Sequence, residues 1–139
     1  MPRILAIDYG QKRTGLAVTD PLQIIANGLT TVNTAQLWDY LQDYISREPV
    51  EKIIIGMPVQ NNGQASDNQK NIIPFINRWR KAVPNIPIEE WDERFTSVMA
   101  HRTMLEAGLG KMARRNKALV DEISATIILQ SYMESRRPL

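Results

Sequence analysis

Apolar residues run unbroken near the start of the chain and recur at helical spacing further on. Ile4-Leu5-Ala6-Ile7 ends abruptly in Asp8, and a second apolar run, Leu16-Ala17-Val18, follows Gly15 and closes at Thr19-Asp20. These runs predict strands over Arg3–Ile7 and Gly15–Thr19. The glycine-containing connection between them is short, so the two should pair as an antiparallel hairpin. A third strand is expected near Ile25–Val32. Leu37, Trp38, Leu41, Tyr44 and Ile45 repeat with helical spacing and predict a helix over Thr34–Arg47. Lys52–Gly56, KIIIG, is too short for a helix and suits a strand covered on both faces. Gly56-Met57-Pro58 stops it, and Gln60–Ala65 reads as a loop. Ser66-x-x-Gln69 has the form of a capping box. The helix it opens would bury Ile72, Ile76, Trp79 and Val83, and Pro74 should kink it or shift its start. Pro87–Trp91 reads as a short strand. Thr96 or Ser97 can cap a helix reaching Ala107, which Gly108 and Gly110 would end. A last helix is expected over Ala118–Glu134, with Val120, Ile123, Ile127 and Ile128 on or near one face.

An initial meander followed by alternating helices and strands implies a mixed sheet with helices packed on its faces. Right-handed crossovers would set Lys52–Gly56 and Pro87–Trp91 parallel to the first strand. Ligands of such sheets collect beyond the C-terminal ends of the parallel strands. Asp8 sits at one such end, Gly56 at another, and Asp92-Glu93 at a third.

Three acidic positions can therefore converge: Asp8, the Asp92-Glu93 pair, and Asp121 near the start of the last helix. Crowded carboxylates repel one another and become tolerable around a hard divalent cation. Such an ion activates water and stabilises charge on a phosphoryl group. The plainer readings are a turn-forming Asp8 and an Asp121 that complements the helix dipole. Strand parity does not choose between Asp92 and Glu93 in the sequence.

A chain of 139 residues suffices for one domain with a real core, taken here as 1–139. It lacks the roughly 18-residue apolar run of a membrane span, so no membrane partner is expected. MPRILAID is too short in apolar residues for a signal peptide. Without cysteine there is no disulfide framework, thiolate zinc site or Cys nucleophile, and a reducing cytoplasm is the expected compartment. The net charge is only +2, but the cations cluster: Lys111, Arg114, Arg115 and Lys117; Arg78, Arg80 and Lys81; Arg136 and Arg137. Clustering suits a polyanionic partner, though solvated helix faces look alike.

Lys12 and Arg13 could approach a phosphate from the hairpin turn, with Gly10 and Gly15 letting backbone come close. The alternative is a solvated turn. Arg94 could pair with a phosphate or a carboxylate. Lys117 precedes Asp121 by four, so it either pairs with that acid or meets a phosphate. Asn61, Asn62 and Gly63 read as a loop beside the cleft. His101, the single histidine, reads as a helix-surface residue and not a general base. Trp38, Trp79 and Trp91 read as core or partly buried residues.

Four segments carry a family resemblance: DYGQKRTGLAVTD (8–20), IIIGMP (53–58), DERFTS (92–97) and KALVDEISATIILQSY (117–132). In this order and spacing they closely resemble the YqgF family, also called RuvX or Holliday junction resolvase-like. Thr14, where an apolar residue is usual, and Ser124, where Ala is, are small departures, and Pro74 looks atypical. The resemblance implies an RNase H-like α/β fold with a five-stranded mixed sheet. Its strand order would be 3-2-1-4-5, with strand 2 antiparallel and helices on both faces. It also implies a bacterial cytoplasmic protein of small-subunit ribosomal RNA maturation. Asp8, Glu93 and Asp121 correspond to the family's three acids.

The expected function is a metal-dependent nuclease acting on structured RNA, a pre-16S rRNA precursor. Asp8, Glu93 and Asp121 would be catalytic and hold one or two Mg²⁺ or Mn²⁺ ions. Lys12, Arg13, Arg94, Lys111, Arg114, Arg115 and Lys117 would contact the nucleic acid. A monomer or weak homodimer is expected. One rival is resolution of four-way DNA junctions, which needs a dimer with two matched sites. A second is a non-catalytic RNA-binding assembly factor, whose binding would fall with salt and ignore chelators. A hexokinase-like nucleotide binder would need a second such domain, for which the chain is too short.

Overall fold

The computed structural model describes residues 2–58, 68–92 and 117–136, apart from the Lys117 side chain. Five strands form one sheet in the order β3-β2-β1-β4-β5: β1 Arg3–Asp8, β2 Arg13–Thr19, β3 Ala26–Asn33, β4 Val50–Met57 and β5 Ile88–Asp92. β2 runs antiparallel to β1 and β3, while β4 and β5 run parallel to β1. This is the mixed sheet expected of an RNase H-like chain. Helices α1 (Leu37–Arg47) and α2 (Gln69–Ala82) cover one face, and α3 (Lys117–Ser135) lies across the other. No described helix is long and apolar enough to cross a membrane.

The central strands are apolar at every position because both of their faces are covered. On β1, Leu5 and Ile7 point to α1 and α2, and Ile4 and Ala6 point to α3. On β4, Ile53 and Ile55 join the first core and Ile54 the second. Leu37, Leu41 and Tyr44 of α1 and Ile72, Ile76 and Trp79 of α2 close the first core. Trp79 is fully buried, and its indole N–H donates to the Ile86 carbonyl at 2.9 Å.

Thr34–Gln36 forms a 3-10 turn ahead of α1, where a continuous helix was expected. The α2 helix starts at Gln69 and runs through Pro74, whose ring lies on the exposed side. Packing of Ile72, Ile76 and Trp79 against the sheet holds it together across the missing N–H. The expected cap Ser66, the loop at 61–63 and the helix expected from Thr96 or Ser97 with His101 lie outside the described residues. On α3 the buried residues are Ala125, Ile127, Ile128, Leu129 and Tyr132, while Val120 and Ile123 are only half-buried. Asp20 sits at the far edge of the sheet, where its carboxylate accepts N–H bonds from Leu22, Ile24 and Ile25. Those bonds hold its pKa below the usual carboxylate range and mark it as a loop former.

Candidate active site

Asp8 ends β1 at the C-terminal edge of the parallel strands. Ile4 and Ala6 pack toward α3, so the two-residue alternation of the strand sends the Asp8 side chain to that face too. Across the antiparallel ladder Asp8 pairs with Gly15. At Gly15 the backbone of α3 comes down onto β2: a Cβ there would stand 2.0 Å from the Asp121 carbonyl oxygen. The missing side chain thus lets Asp121 lie beside Asp8. A second glycine prolongs the same floor, since a Cβ at Gly28 would meet the Glu122 side chain. Thr31 ties down the helix start by donating its hydroxyl to the Ala118 carbonyl at 2.6 Å.

Burial and then the nearby Asp121 carboxylate push the Asp8 carboxyl up to about 7. The residue is half-buried by surface, so it keeps a path to solvent. Arg13, on the α3 face of β2, donates from Nε to Asp121 Oδ2 at 2.9 Å. The pair is partly open, with 37% of the Arg13 and 22% of the Asp121 side chain exposed.

The hairpin turn is held tightly. A Cβ at Gly10 would stand 2.2 Å from the Arg13 carbonyl oxygen. The Thr34 hydroxyl donates to the Gly10 carbonyl at 2.6 Å, and the Thr34 N–H donates to the Lys12 carbonyl at 2.9 Å. Thr14, unusual for the family, is buried with its hydroxyl 2.9 Å from that of Thr34. The turn therefore fixes Arg13 while Lys12 stays exposed.

β5 completes the edge. Ile88 faces α1 and α2, whereas Glu89 pairs with Lys52 at 2.8 Å on the α3 side and Trp91 packs edge-on to Tyr132 at 5.7 Å. Lys52 also donates to the Tyr132 hydroxyl at 2.8 Å. Asp92 shares the parity of Ile88 and so lies on the face opposite Asp8.

The structure brings together Asp8, Asp121 and Arg13, with Lys12 in the adjoining turn. Glu93, Arg94, Lys111, Arg114, Arg115 and the Lys117 side chain lie outside the described residues. Among the described residues no three acids or histidines gather into a metal cluster. Sequence reasoning missed Gly15 and Gly28 as the floor of α3. Gly15, expected to let a phosphate approach the turn, admits a helix backbone instead. A glycine inside an apolar strand was the available signal.

The chain is similar to proteins of one family over nearly its whole length. Residues 2–135 match the RuvX family, described as Holliday junction resolvase. A protein of Phocaeicola vulgatus named "Putative pre-16S rRNA nuclease" is 66% identical over 137 residues, covering 99% of each chain. Proteins of the same name from Bacteroides thetaiotaomicron and Flavobacterium johnsoniae are 65% and 56% identical, each again covering 99% of both chains. Among solved structures, T. thermophilus RuvC in complex with a Holliday junction substrate matches over 100% of both chains with a TM-score of 0.58 and 16% identity. At that identity the likeness concerns the fold alone. By sequence over nearly its whole length, and by a sheet order that agrees, the chain belongs to the RuvX (YqgF) family.

Proposed function

We propose that the chain is a divalent-metal-dependent endonuclease that cleaves phosphodiester bonds in structured ribosomal RNA precursor, in the 5′ maturation of pre-16S rRNA. It would do so as one RNase H-like domain over 1–139, in the cytoplasm, as a monomer or weak homodimer. The observation that carries this reading is the juxtaposition of Asp8 and Asp121 across Gly15, where burial and then the Asp121 charge push Asp8 up to about 7. The names of the close relatives support the substrate.

The donor set fits a hard cation. It consists of carboxylate oxygens, and Asp8 is raised to about 7 by burial and then by Asp121, both of which a bound cation would offset. Glu93 is the third acid of the proposal. Glu89 and Trp91 occupy the α3 face, and the alternation withholds that face from Asp92, which leaves Glu93 as the acid of the pair to propose. Asp8, Asp121 and Glu93 would hold Mg²⁺ or Mn²⁺, one ion or two. When bound, the metal supplies an acidified water and neutralises charge growing on the phosphoryl oxygens.

The chain's own residues do the rest. β1 and α3 hold the two carboxylates on rigid elements. Arg13 keeps Asp121 oriented and, being partly exposed, can turn to a substrate phosphate. Lys12, Arg94, Lys111, Arg114, Arg115 and Lys117 would neutralise flanking phosphates. Cleavage would leave a 5′-phosphate and a 3′-hydroxyl.

The test is cleavage of a pre-16S fragment and of a four-way DNA junction by the unmodified chain and by Asp8→Asn, Glu93→Gln and Asp121→Asn. Each substitution should lower RNA cleavage more than about 100-fold, since even outer-shell changes at metal sites cost ~10–100-fold. Full RNA cleavage by purified Asp8→Asn would overturn the proposal, and cutting of the junction in preference to RNA would overturn its substrate.

A further inference from the structure

A pocket of about 270 Å³ opens on the face of the sheet opposite Asp8, between the start of α1 and the middle of α2. Tyr9 links it to the site. As the next residue after Asp8, Tyr9 points to the opposite face, where its ring meets Phe75 at 5.6 Å. The aromatic wall continues from Phe75 to Trp38 at 6.1 Å, and from Trp38 to the buried Trp79 at 5.7 Å. Tyr9, Trp38 and Phe75 are each only half-buried, so the pocket has open aromatic surface.

Its rim is cationic. The Arg78 guanidinium lies 3.8 Å from the centroid of the Trp38 ring. Arg3, Arg13, Arg47 and Lys52 are each paired with a carboxylate, but Arg78 has no ion pair among the described residues. Among the described residues no acidic side chain lines the pocket, and α2 carries Lys70, Arg78, Arg80 and Lys81 with no acid within the helix.

We infer that this pocket takes one unpaired nucleotide of the RNA strand, its base stacked on the Tyr9–Trp38–Phe75 wall and its phosphate beside Arg78. The inference rests on the nuclease reading and deepens it. Aromatic faces and a rim guanidinium are what a base and a phosphate select, without regard to base identity. The volume lies near the ~300 Å³ lower bound of small-ligand pockets, enough for one nucleotide and too little for a duplex. Asp8 and Tyr9 straddle the same strand tip. A strand with its scissile phosphate at Asp8 can pass over the sheet edge and seat a neighbouring nucleotide here, which a rigid duplex cannot do. The pocket would thus favour substrates with an unpaired flank.

The experiment measures anisotropy of a labelled eight-nucleotide single-stranded RNA, together with tryptophan fluorescence, on the full chain in EDTA. Phe75→Leu and Arg78→Ala should each weaken binding about tenfold, the scale of one lost base stack. The RNA should quench tryptophan emission, and Trp38→Phe should remove most of that quench. Circular dichroism checks Phe75→Leu for folding, and the exposed Arg78→Ala keeps the test decisive if that variant unfolds. Binding unchanged in the folded variants, equal competition by a blunt duplex, or no binding of the single strand would each overturn the inference. Chelation keeps cleavage out of the readout, so failure of the pocket and failure of the nuclease reading register separately.

Discussion

Asp8 is held in a state that costs the fold stability. An unfolded aspartate loses its proton near 3.8, whereas folded Asp8 keeps its proton to about 7, chiefly through burial and then through Asp121. Between those values the native state binds the additional proton, so stability is fullest near pH 4 and falls as pH rises toward 7. Asp8→Asn removes the charge that causes the fall. Without divalent cations it should melt roughly 3–6 °C above the unmodified chain at pH 7.5, an effect of about 1–2 kcal/mol after allowing for partial exposure. The gap should close near pH 4. Saturating Mg²⁺ should raise the melting temperature of the unmodified chain and not that of the variant. Thermal melts across pH check this, and a variant no more stable at pH 7.5 would contradict it.

Arg13 belongs to the same scale. It is the counter-charge of Asp121 and stands 108 residues away in sequence. Arg13→Gln should tighten Mn²⁺ binding about two- to fivefold, in line with the ~0.5–1 kcal/mol of a half-exposed pair. Calorimetric titration reads this directly, and weaker Mn²⁺ binding would contradict the role. Asp8 was legible in the sequence because it ends an apolar run. The Arg13–Asp121 pair was not, because sequence proximity offers Lys117 as the neighbour of Asp121 and only the fold brings β2 against α3.

At the scale of elements, the seating of α3 decides whether the acids meet. The strands were readable to within two residues at each end, since β-branched runs covered on both faces leave few alternatives. The buried side of α3 was less readable. Val120 and Ile123 are the larger apolar groups, yet Ala125 is fully buried and they are not. The small residues Ala6, Gly15, Ala17 and Gly28 beneath the helix choose which side lies flat. That choice depends on a surface assembled from three strands, which a single helix's periodicity does not contain. The face of Asp92 was equally hidden until Ile88 and Trp91 were assigned to faces.

The two glycines should respond differently to a methyl group. At Gly15 the obstacle is the Asp121 backbone, so Gly15→Ala must push α3 away. Overpacking of this kind costs about 1–3 kcal/mol; the melting temperature should drop by roughly 3–10 °C, and cleavage should fall more steeply because Asp121 moves with the helix. At Gly28 the obstacle is the flexible Glu122 side chain, which can turn aside, so Gly28→Ala should cost less. Paired melting and cleavage measurements test the order, and equal effects at both positions would contradict this seating of α3.

On the scale of the whole molecule, the sheet order sends β1, β4 and β5 in one direction, so their C-terminal ends form a single edge. Asp8 serves that edge on the α3 face, and Tyr9 opens onto the α1/α2 face. The chain order of elements was enough to read this edge in advance, because parallel strands joined by helices have little topological freedom. The pocket around Trp38 was not readable. Its wall draws on β1, α1 and α2, and each aromatic residue taken alone reads as core.

The most direct measurement is a crystal structure of the unmodified chain grown with Mn²⁺, read by anomalous scattering. The expected result is a peak in contact with both the Asp8 and Asp121 carboxylates, with Glu93 reaching the same ion, and loss of that peak in Asp8→Asn. Ordered crystals at saturating Mn²⁺ without a peak between Asp8 and Asp121, or with Glu93 turned away from it, would contradict the metal-dependent nuclease.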